Sequence, residues 1–480
     1  MASITGASNS VSNSNLGLTS YSSGIDFGVL IDAIVARSSL PLQQLQSQRS
    51  TIQARVDALR ELNSRLIKLT DAVRALSDET LSATRAATSS NTSVATVTAS
   101  DGATPATINL TVTRLATAFA QASRSFSSPN DPVLAAGATS ATFELRKGGA
   151  STGPAITIDT TNNSLAGLRD AINAANAGVT ATIVDTSGNG TGYQLVLTST
   201  ETGASNRVEL VETSGTGTDA NLNLRTLNSL GSPADYSQLD AEVSINGLVV
   251  HRATNKISDL VAGVTFELKA TGTTTVSVAN DTQAVANKIK AFVDAYNSVQ
   301  DFILSQQNDP SGKAGGPLAA DATLRAVQRN LRDALSASAV NDGGAFTNLT
   351  EIGIGRDEQG KLTLDQAKLD DRLRNAFSDT IALLAGKTSS NVGLADQILT
   401  VSSSMSDQIS GSVQSAIKGY TDSVSRLDKL IADQQARLDA LRQSLTRQFA
   451  AVDAAISQLN GQGTALSNII KSLQPQSNNK

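Results

Sequence analysis

Few residues in this 480-residue chain could do chemistry, and their spacing argues against most of it. Gly386-Lys387-Thr388 copies the end of a phosphate-binding loop, but the glycine needed five positions earlier is Ile381. The preceding segment has helical periodicity, whereas a phosphate loop follows a strand so that its backbone N–H groups can surround the anion. The pattern reads as a helix end with glycine at its cap. Asp185, Ser187, Asn189 and Gly190 copy the first half of a calcium loop, yet the twelfth position, where a bidentate glutamate belongs, is Val196. A glycine-rich hairpin turn accounts for them. His251 is the only histidine and sits beside Arg252 in a predicted strand. With no local carboxylate partner it is a poor general base and is expected to be structural or solvated. Asp370 and Asp371 are adjacent, so on a helix they point to different faces and read as solvated charges.

The chain has no cysteine, which excludes disulfides, thiolate metal sites and thiol nucleophiles together. Carboxylate-pair hydrolysis and Ser–Lys nucleophiles remain, and neither has a motif here. No catalytic residue, cofactor site or metal ligand is assigned, and the chain is expected not to be an enzyme.

Composition narrows the partners. There are 43 acidic against 38 basic residues, so no long-range field draws in nucleic acid or an anionic membrane. Aromatic residues are 3% with no Trp, which leaves few stacking platforms for bases or sugars. Met1 to Ser20 is rich in Ser and Asn, with no basic residue before Arg37 and no apolar run, so it does not read as a Sec-type signal peptide. The longest apolar stretch, Gly28 to Ala36, is interrupted by Asp32 and falls well short of the roughly 20 residues that a membrane-spanning helix needs.

The elements point to a structural role. From Leu45 the apolar residues Ile52, Val56, Leu59, Leu66, Leu69, Val73 and Leu76 are spaced by threes, fours and sevens. Val424, Leu427, Ile431, Leu438, Leu441, Leu445, Val452, Ile456 and Leu459 repeat the device near the other end, with Gln434 and Gln448 at polar seam positions. These are heptad seams on rods of roughly 50 Å and 60 to 80 Å at 1.5 Å per residue. An intramolecular helical hairpin satisfies part of such seams, and a rod with one seam satisfies one neighbour. The polar ends, Ser8 to Ser14 and Gln474 to Lys480, are expected to order on assembly.

Between the rods the pattern becomes period two. Thr107 to Thr113 alternates, Val243 to Val249 gives strand, Asn246-Gly247 turn and strand, and Gly263 to Leu268 with Thr274 to Val278 reads as a further strand pair. One helix is expected over Ser164 to Ala175. Helical periodicity returns through Val285, Ile289, Phe292, Val293, Tyr296, Val299 and Ile303, then near Asp321 to Leu335, with a small strand-turn-strand over Ile352 to Leu364. The expected fold is α+β and multidomain, with terminal helices forming a coiled-coil or helical-bundle stalk and two β-rich domains inserted between them. The expected parts are a flexible tail 1–24, a helical stalk 25–80, a β-domain split over 81–129 and 237–280, and an inserted β-rich domain 130–236. A helical bundle with a small β element, 281–404, and a coiled-coil helix with tail, 405–480, complete the chain.

Four passages resemble the flagellar filament cap (hook-associated protein 2) family. They are Gly24-Ile25-Asp26 with Leu30, Ile31, Ile34 and Leu40-Pro41-Leu42, and then Val112 to Ala116 with Phe119, Ala120 and Gln121. The third runs from Ser244-Ile245-Asn246-Gly247 through Asn255, Ile257, Asp259, Leu260, Gly263-Val264 and Phe266 to Leu268. The fourth joins Leu349, Ile352-Gly353-Ile354, Gly360-Lys361-Leu362, Leu364-Asp365 and Leu459-Asn460. In addition, Ile156 to Ile158, Leu165 to Asn173, Val179 to Val184 and Leu195 to Gly203 are similar to a repeat module of flagellins. The tail before Gly24 is longer than the family pattern, and Arg37-Ser38-Ser39 replaces a more acidic stretch.

The resemblance implies a non-enzymatic extracellular protein at the distal tip of a bacterial flagellum, exported by the flagellar type III apparatus with an export chaperone. It implies a ring-like homo-oligomer under which exported flagellin folds, and host glycans or mucins as a further class of partner. The docking residues expected for neighbouring cap or filament subunits are Ile25, Leu30, Ile34, Leu45, Ile52, Val56, Leu59 and Leu66 at one end. At the other they are Leu438, Leu441, Leu445, Val452, Ile456 and Leu459. Two readings stay open beside this one: another flagellar axial protein, such as a flagellin or a hook–filament junction protein, and a surface adhesin acting through the β-rich domains.

Overall fold

The computed structural model describes residues 26–77, 79–215, 218–307, 315–338, 345–386 and 392–473. The tail residues and Lys387-Thr388 of the sequence reading lie outside that set. Two helices open the described chain, α1 (Phe27–Ser38) and α2 (Leu40–Ser77). Asp26 caps α1 by accepting from the N–H groups of Gly28 and Val29 at 2.9 and 3.2 Å. Pro41 lies in the first turn of α2, where its missing N–H costs no helical bond.

Strands follow: β1 (Arg85–Ser89), β2 (Ala95–Ala99), β3 (Ala106–Arg114), β4 (Ala118–Ala122), β5 (Ser140–Lys147) and β6 (Ala150–Asp159). Then come α3 (Leu165–Ala174), β7 (Val179–Asp185), β8 (Tyr193–Thr202), β9 (Val208–Ser214), α4 (Thr218–Leu222) and β10 (Arg225–Thr226). The β region closes with β11 (Ala241–Ile245), β12 (Leu248–Arg252), β13 (Lys256–Val261), β14 (Val264–Leu268) and β15 (Gly272–Asn280). After it come α5 (Thr282–Gln306), α6 (Ala322–Leu335), β16 (Ile354–Arg356), β17 (Leu362–Leu364), α7 (Gln366–Asn375), α8 (Phe377–Ala385), α9 (Leu394–Ser406) and α10 (Ser412–Leu473). Helices at both ends with β-sheets between them make the α+β architecture that the periodicities predict.

Apart from the β16–β17 hairpin, the strands form two sheet pairs. In the first, a five-stranded sheet ordered β1-β15-β3-β11-β12 and a three-stranded sheet ordered β13-β14-β2 share a core that includes Leu110, Val112, Val243, Phe266 and Val276. In the second, sheets ordered β10-β4-β8-β7 and β6-β5-β9 pack with α3 around Phe143, Ile158, Leu168, Ile172 and Leu197. All the strand pairings are antiparallel, so one face of each sheet can bury its alternate residues while the other stays wet.

Two details differ from the sequence reading. β4 pairs with β8 and β10, so the second sheet pair begins near residue 118, earlier than the expected 130. The strands Val264–Leu268 and Gly272–Asn280 are both present but belong to different sheets, where β14 joins β2 and β13 while β15 joins β1 and β3. The hairpin at Asn246-Gly247 forms as expected. Ile245 faces Leu248, and φ values of 50° and 91° at the two loop residues match the right-handed strand twist. Asn246 also accepts from the N–H of Asn109 on β3 at 2.9 Å, which ties the loop to its neighbour strand.

The helices outside the β region form one bundle around α2. Its Leu59, Leu62, Leu66, Leu69 and Val73 share a core with Ile289, Phe292 and Ile303 of α5, Ile398 and Met405 of α9, and Val413 and Ile417 of α10. Asp321 uses both carboxylate oxygens there. Oδ1 caps α6 through the N–H of Thr323, and Oδ2 accepts from the Tyr420 hydroxyl at 2.7 Å. That bond, and then burial, raises the Tyr420 phenol above its ordinary 10.0. Burial likewise pushes up the Tyr296 phenol in the same bundle.

Candidate self-assembly interface

α10 has 62 residues, roughly 90 Å at 1.5 Å per residue, and it outruns every other helix in the described structure. Its heptad seam lies against α1 and α2 in antiparallel sense. Phe27 stacks on Phe449 with centroids 5.2 Å apart, Asp32 pairs with Arg442, Arg49 pairs with Asp428 at 2.9 Å, and the Arg55 guanidinium sits 5.9 Å over the Tyr420 ring. These contacts span α1 and α2 as one continuous stack. The ion pairs are half-exposed or more, so they contribute about 0–1 kcal/mol each and serve mainly to set register.

The expected docking residues fall into three groups. Val56, Leu59, Leu66 and Leu438 are covered by the chain's own helices, so they hold the bundle together and cannot meet a second subunit. The sequence shows a seam but not which neighbour fills it, and here α5, α9 and α10 do. Ile34, Leu45, Ile52, Leu441, Leu445 and Ile456 are half-covered. Leu30, Val452 and Leu459 stay open, at 45%, 45% and 65% exposure. Ile25 lies outside the described residues.

The sequence reading missed part of the surface. Val29 and Leu40 are exposed as well, and Leu466, Ile469 and Ile470 continue the exposed stripe of α10. The signal was present, because Leu466 follows Leu459 by seven and Ile470 follows by four, but the polar run Asn460 to Thr464 hid it. Phe27 and Phe449 were missed as well; they anchor the start of α1.

The chemistry decoys resolve into local structure. Asp185 Oδ1 accepts from the Ser187 hydroxyl and the N–H groups of Ser187 and Gly188, while Oδ2 accepts from Gly190 N–H, so the carboxylate closes its own turn. Those bonds, the Ser187 hydroxyl first, lower its pKa. Gly386 caps α8 with φ 77°, a helix end with glycine. Asp370 accepts from Gln366, and Asp371 accepts from Asn375, along the exposed side of α7. His251 does have a carboxylate near it: strand pairing places Glu242 opposite, with Oε2 3.4 Å from Nε2. The expectation of no local partner is corrected by a residue nine positions away that the hairpin folds back. The pair is half-exposed and forms a cross-strand contact on the sheet surface.

Comparison with known proteins adds to this geometry. Residues 23–119 match the family described as Flagellar hook-associated protein 2 N-terminus, and residues 239–461 match Flagellar hook-associated protein 2 C-terminus. The B-type flagellar hook-associated protein 2 of Pseudomonas aeruginosa is 30% identical over 473 residues, covering 93% of this chain and 96% of that relative. The chain belongs to the flagellar hook-associated protein 2 family. The hook-associated protein 2 of Escherichia coli K12 is 31% identical over 463 residues, covering 92% of this chain and 96% of its own. Residues 146–201, from β5 to β8, match the Flagellin hook IN motif. The crystal structure of the D1-D2-D3 domains of the Escherichia coli flagellar cap protein FliD is similar at TM-score 0.58 and 29% identity, covering 76% of this chain and 99% of that one. Hook-associated protein 2 similarity thus spans both the stalk and the sheets.

Proposed function

We propose that this chain is a structural subunit of the cap at the distal end of a bacterial flagellar filament and works by self-assembly, not catalysis. One observation carries the reading: a chain similar to hook-associated protein 2 over 93% of its residues has a helical stalk whose apolar face is only partly covered by the described residues. Residues 23–119 and 239–461 match hook-associated protein 2 family regions, while residues 146–201 inside the second sheet pair match the Flagellin hook IN motif. That distribution favours a cap over a flagellin.

The open apolar residues of the stalk, with Val29 and Leu30 foremost, contact neighbouring cap or filament subunits. A cap has to shift whenever flagellin inserts beneath it, so several weak contacts that re-form suit it better than one locked interface. The chain reaches the extracellular tip through the flagellar export apparatus with a chaperone. Having no cysteine, it carries no covalent staple to hinder passage in an unfolded state.

The test uses a strain lacking the native gene. Removing everything beyond Gly419 leaves the sheet pairs folded and abolishes filament elongation, and Val29→Asp with Leu30→Asp lowers elongation while the monomer still folds. Filaments of ordinary length from both variants, seen by electron microscopy, would overturn the reading.

A further inference from the structure

The chain carries three Asn-Gly pairs, beginning at Asn189, Asn246 and Asn460. In such a pair the backbone nitrogen of the glycine can attack the side-chain amide carbon of the asparagine, because glycine has no Cβ to block the approach. Two of the three are held out of that geometry. Asn460 and Gly461 lie inside α10, where helical bonding engages the glycine N–H along the helix axis, away from the side chain. Asn246 is pinned to β3: its Oδ1 accepts from Asn109 N–H at 2.9 Å, and its own N–H donates to the Asn109 carbonyl at 2.9 Å.

Asn189-Gly190 is placed differently, at the tip of the β7–β8 hairpin, where residues 186–191 are all exposed. The Gly190 N–H donates to Asp185 Oδ2 at 2.8 Å, so a carboxylate kept ionised by its own turn bonds stands on the proton that the attacking nitrogen must lose. The Thr191 hydroxyl donates to Asn189 Oδ1 at 2.6 Å. The Ser187 hydroxyl, bonded to Asp185 Oδ1 at 2.7 Å, also lies 2.5 Å from Asn189 Oδ1 and can turn its proton to that oxygen. Both hydroxyls sit where negative charge builds as the nitrogen adds. A base, a nucleophile and oxyanion donors thus meet around one amide.

We infer that Asn189 is a site of self-catalysed deamidation, with Gly190 N as nucleophile, Asp185 as base and the Thr191 and Ser187 hydroxyls as oxyanion donors. Asp185 Oδ2 takes the Gly190 proton, and a bond forms from Gly190 N to Asn189 Cγ. The bond from Cγ to Nδ2 then breaks, and ammonia leaves with that proton as a cyclic imide closes. Water, which reaches the exposed tip, opens the imide to aspartate or, at its other carbonyl, to isoaspartate. The net change is one water consumed and one ammonia released, with no oxidant or reductant. It leaves a second carboxylate beside Asp185 and, in the isoaspartyl product, a longer backbone, so like charges and added length loosen the turn that Asp185 closes. This chemistry belongs to the hairpin alone and does not rest on the capping reading.

The test ages the purified full chain at neutral pH in heavy-oxygen water, which labels each new carboxyl, and follows the peptides around Asn189, Asn246 and Asn460 by mass spectrometry. In the folded chain Asn189 is expected to convert at least roughly tenfold faster than Asn246 or Asn460. In urea, which frees every pair from its fold, the three rates are expected to draw together below the folded rate of Asn189. Asp185→Asn is expected to slow conversion at Asn189 by about tenfold and Thr191→Val by about threefold, with Asn246 unchanged. Circular dichroism checks that each variant folds, and Thr191→Val keeps the bonds of Asp185 should Asp185→Asn open the turn. An Asn189 that converts no faster than Asn246 in the folded chain would overturn the inference. So would a folded rate at Asn189 no higher than the rate in urea, or a rate unchanged in both variants.

Discussion

The ring of Phe27 stacks on that of Phe449, 5.2 Å between centroids and 21° between planes, and so fastens the first turn of the described chain to a helix near its other end. Aromatic pairs of this kind contribute about 0.5–1.5 kcal/mol beyond the area they bury. A double-mutant cycle with Phe27→Ala and Phe449→Ala is expected to give a coupling energy in that range by urea unfolding. Additive losses would mean that the rings pack independently.

Leu59 and Leu459 carry the same side chain in opposite settings. Leu59 is fully buried among α2, α5, α9 and α10, so Leu59→Ala is expected to cost about 2–5 kcal/mol of stability. Leu459 is 65% exposed in the described structure, so Leu459→Ala is expected to stay within about 0.5 kcal/mol. Chemical denaturation of the two variants side by side checks both values.

Gly247 sits at φ 91° with nothing within 4 Å of where a Cβ would be. Gly247→Val therefore meets no clash and tests backbone conformation alone; it is expected to cost about 1–2 kcal/mol. Gly247→Asn is expected to cost less, because asparagine tolerates this region. A melting transition unchanged in Gly247→Val would contradict the two-residue turn.

Gly203 is the opposite case. A Cβ there would lie 2.4 Å from the Cα and Cβ of Ala253, and its N–H donates to the carbonyl of Thr117 at 3.0 Å where the two sheet pairs meet. Gly203→Ala is expected to lower stability by about 1–3 kcal/mol or more and to raise protease cleavage near 203 and 253. Resistance to cleavage equal to that of the parent would remove this contact as a constraint.

The Tyr420 hydroxyl bonded to Asp321 sets a pH dependence at the alkaline end. Its pKa is raised above the unfolded chain's 10.0, so the contribution is intact below that pH and is lost as pH rises through the folded-state value. Tyr420→Phe is expected to lose about 0.5–1.5 kcal/mol at neutral pH and to flatten stability against pH above 10.0. A parent protein whose stability is level across that window would disprove the coupling.

Periodicity made most of these elements legible beforehand. The threes and fours from Leu45 and from Val424, the helix after Ser164 and the Asn246-Gly247 turn all stand where local spacing puts them. Pairing was harder to read, because alternation tells which face of a strand is buried but not which strand lies beside it. Hence alternation alone does not show that β4 lies beside β8, that β14 and β15 sit in different sheets, or that Glu242 faces His251. The docking residues meet the same limit. A heptad stripe such as Val56, Leu59 and Leu66 looks the same whether a foreign chain or the protein's own α5 and α9 fills it.

The pairing of β4 with β10 has one more consequence. The chain enters the second sheet pair along Ala118–Ala122 and leaves it along Arg225–Thr226, with Ala122 facing Arg225 across the same ladder. A guest whose two ends are stitched together at the doorway can be swapped, enlarged or dropped while its host keeps its own seam closed. The helical bundle therefore keeps its packing whatever hangs from that doorway.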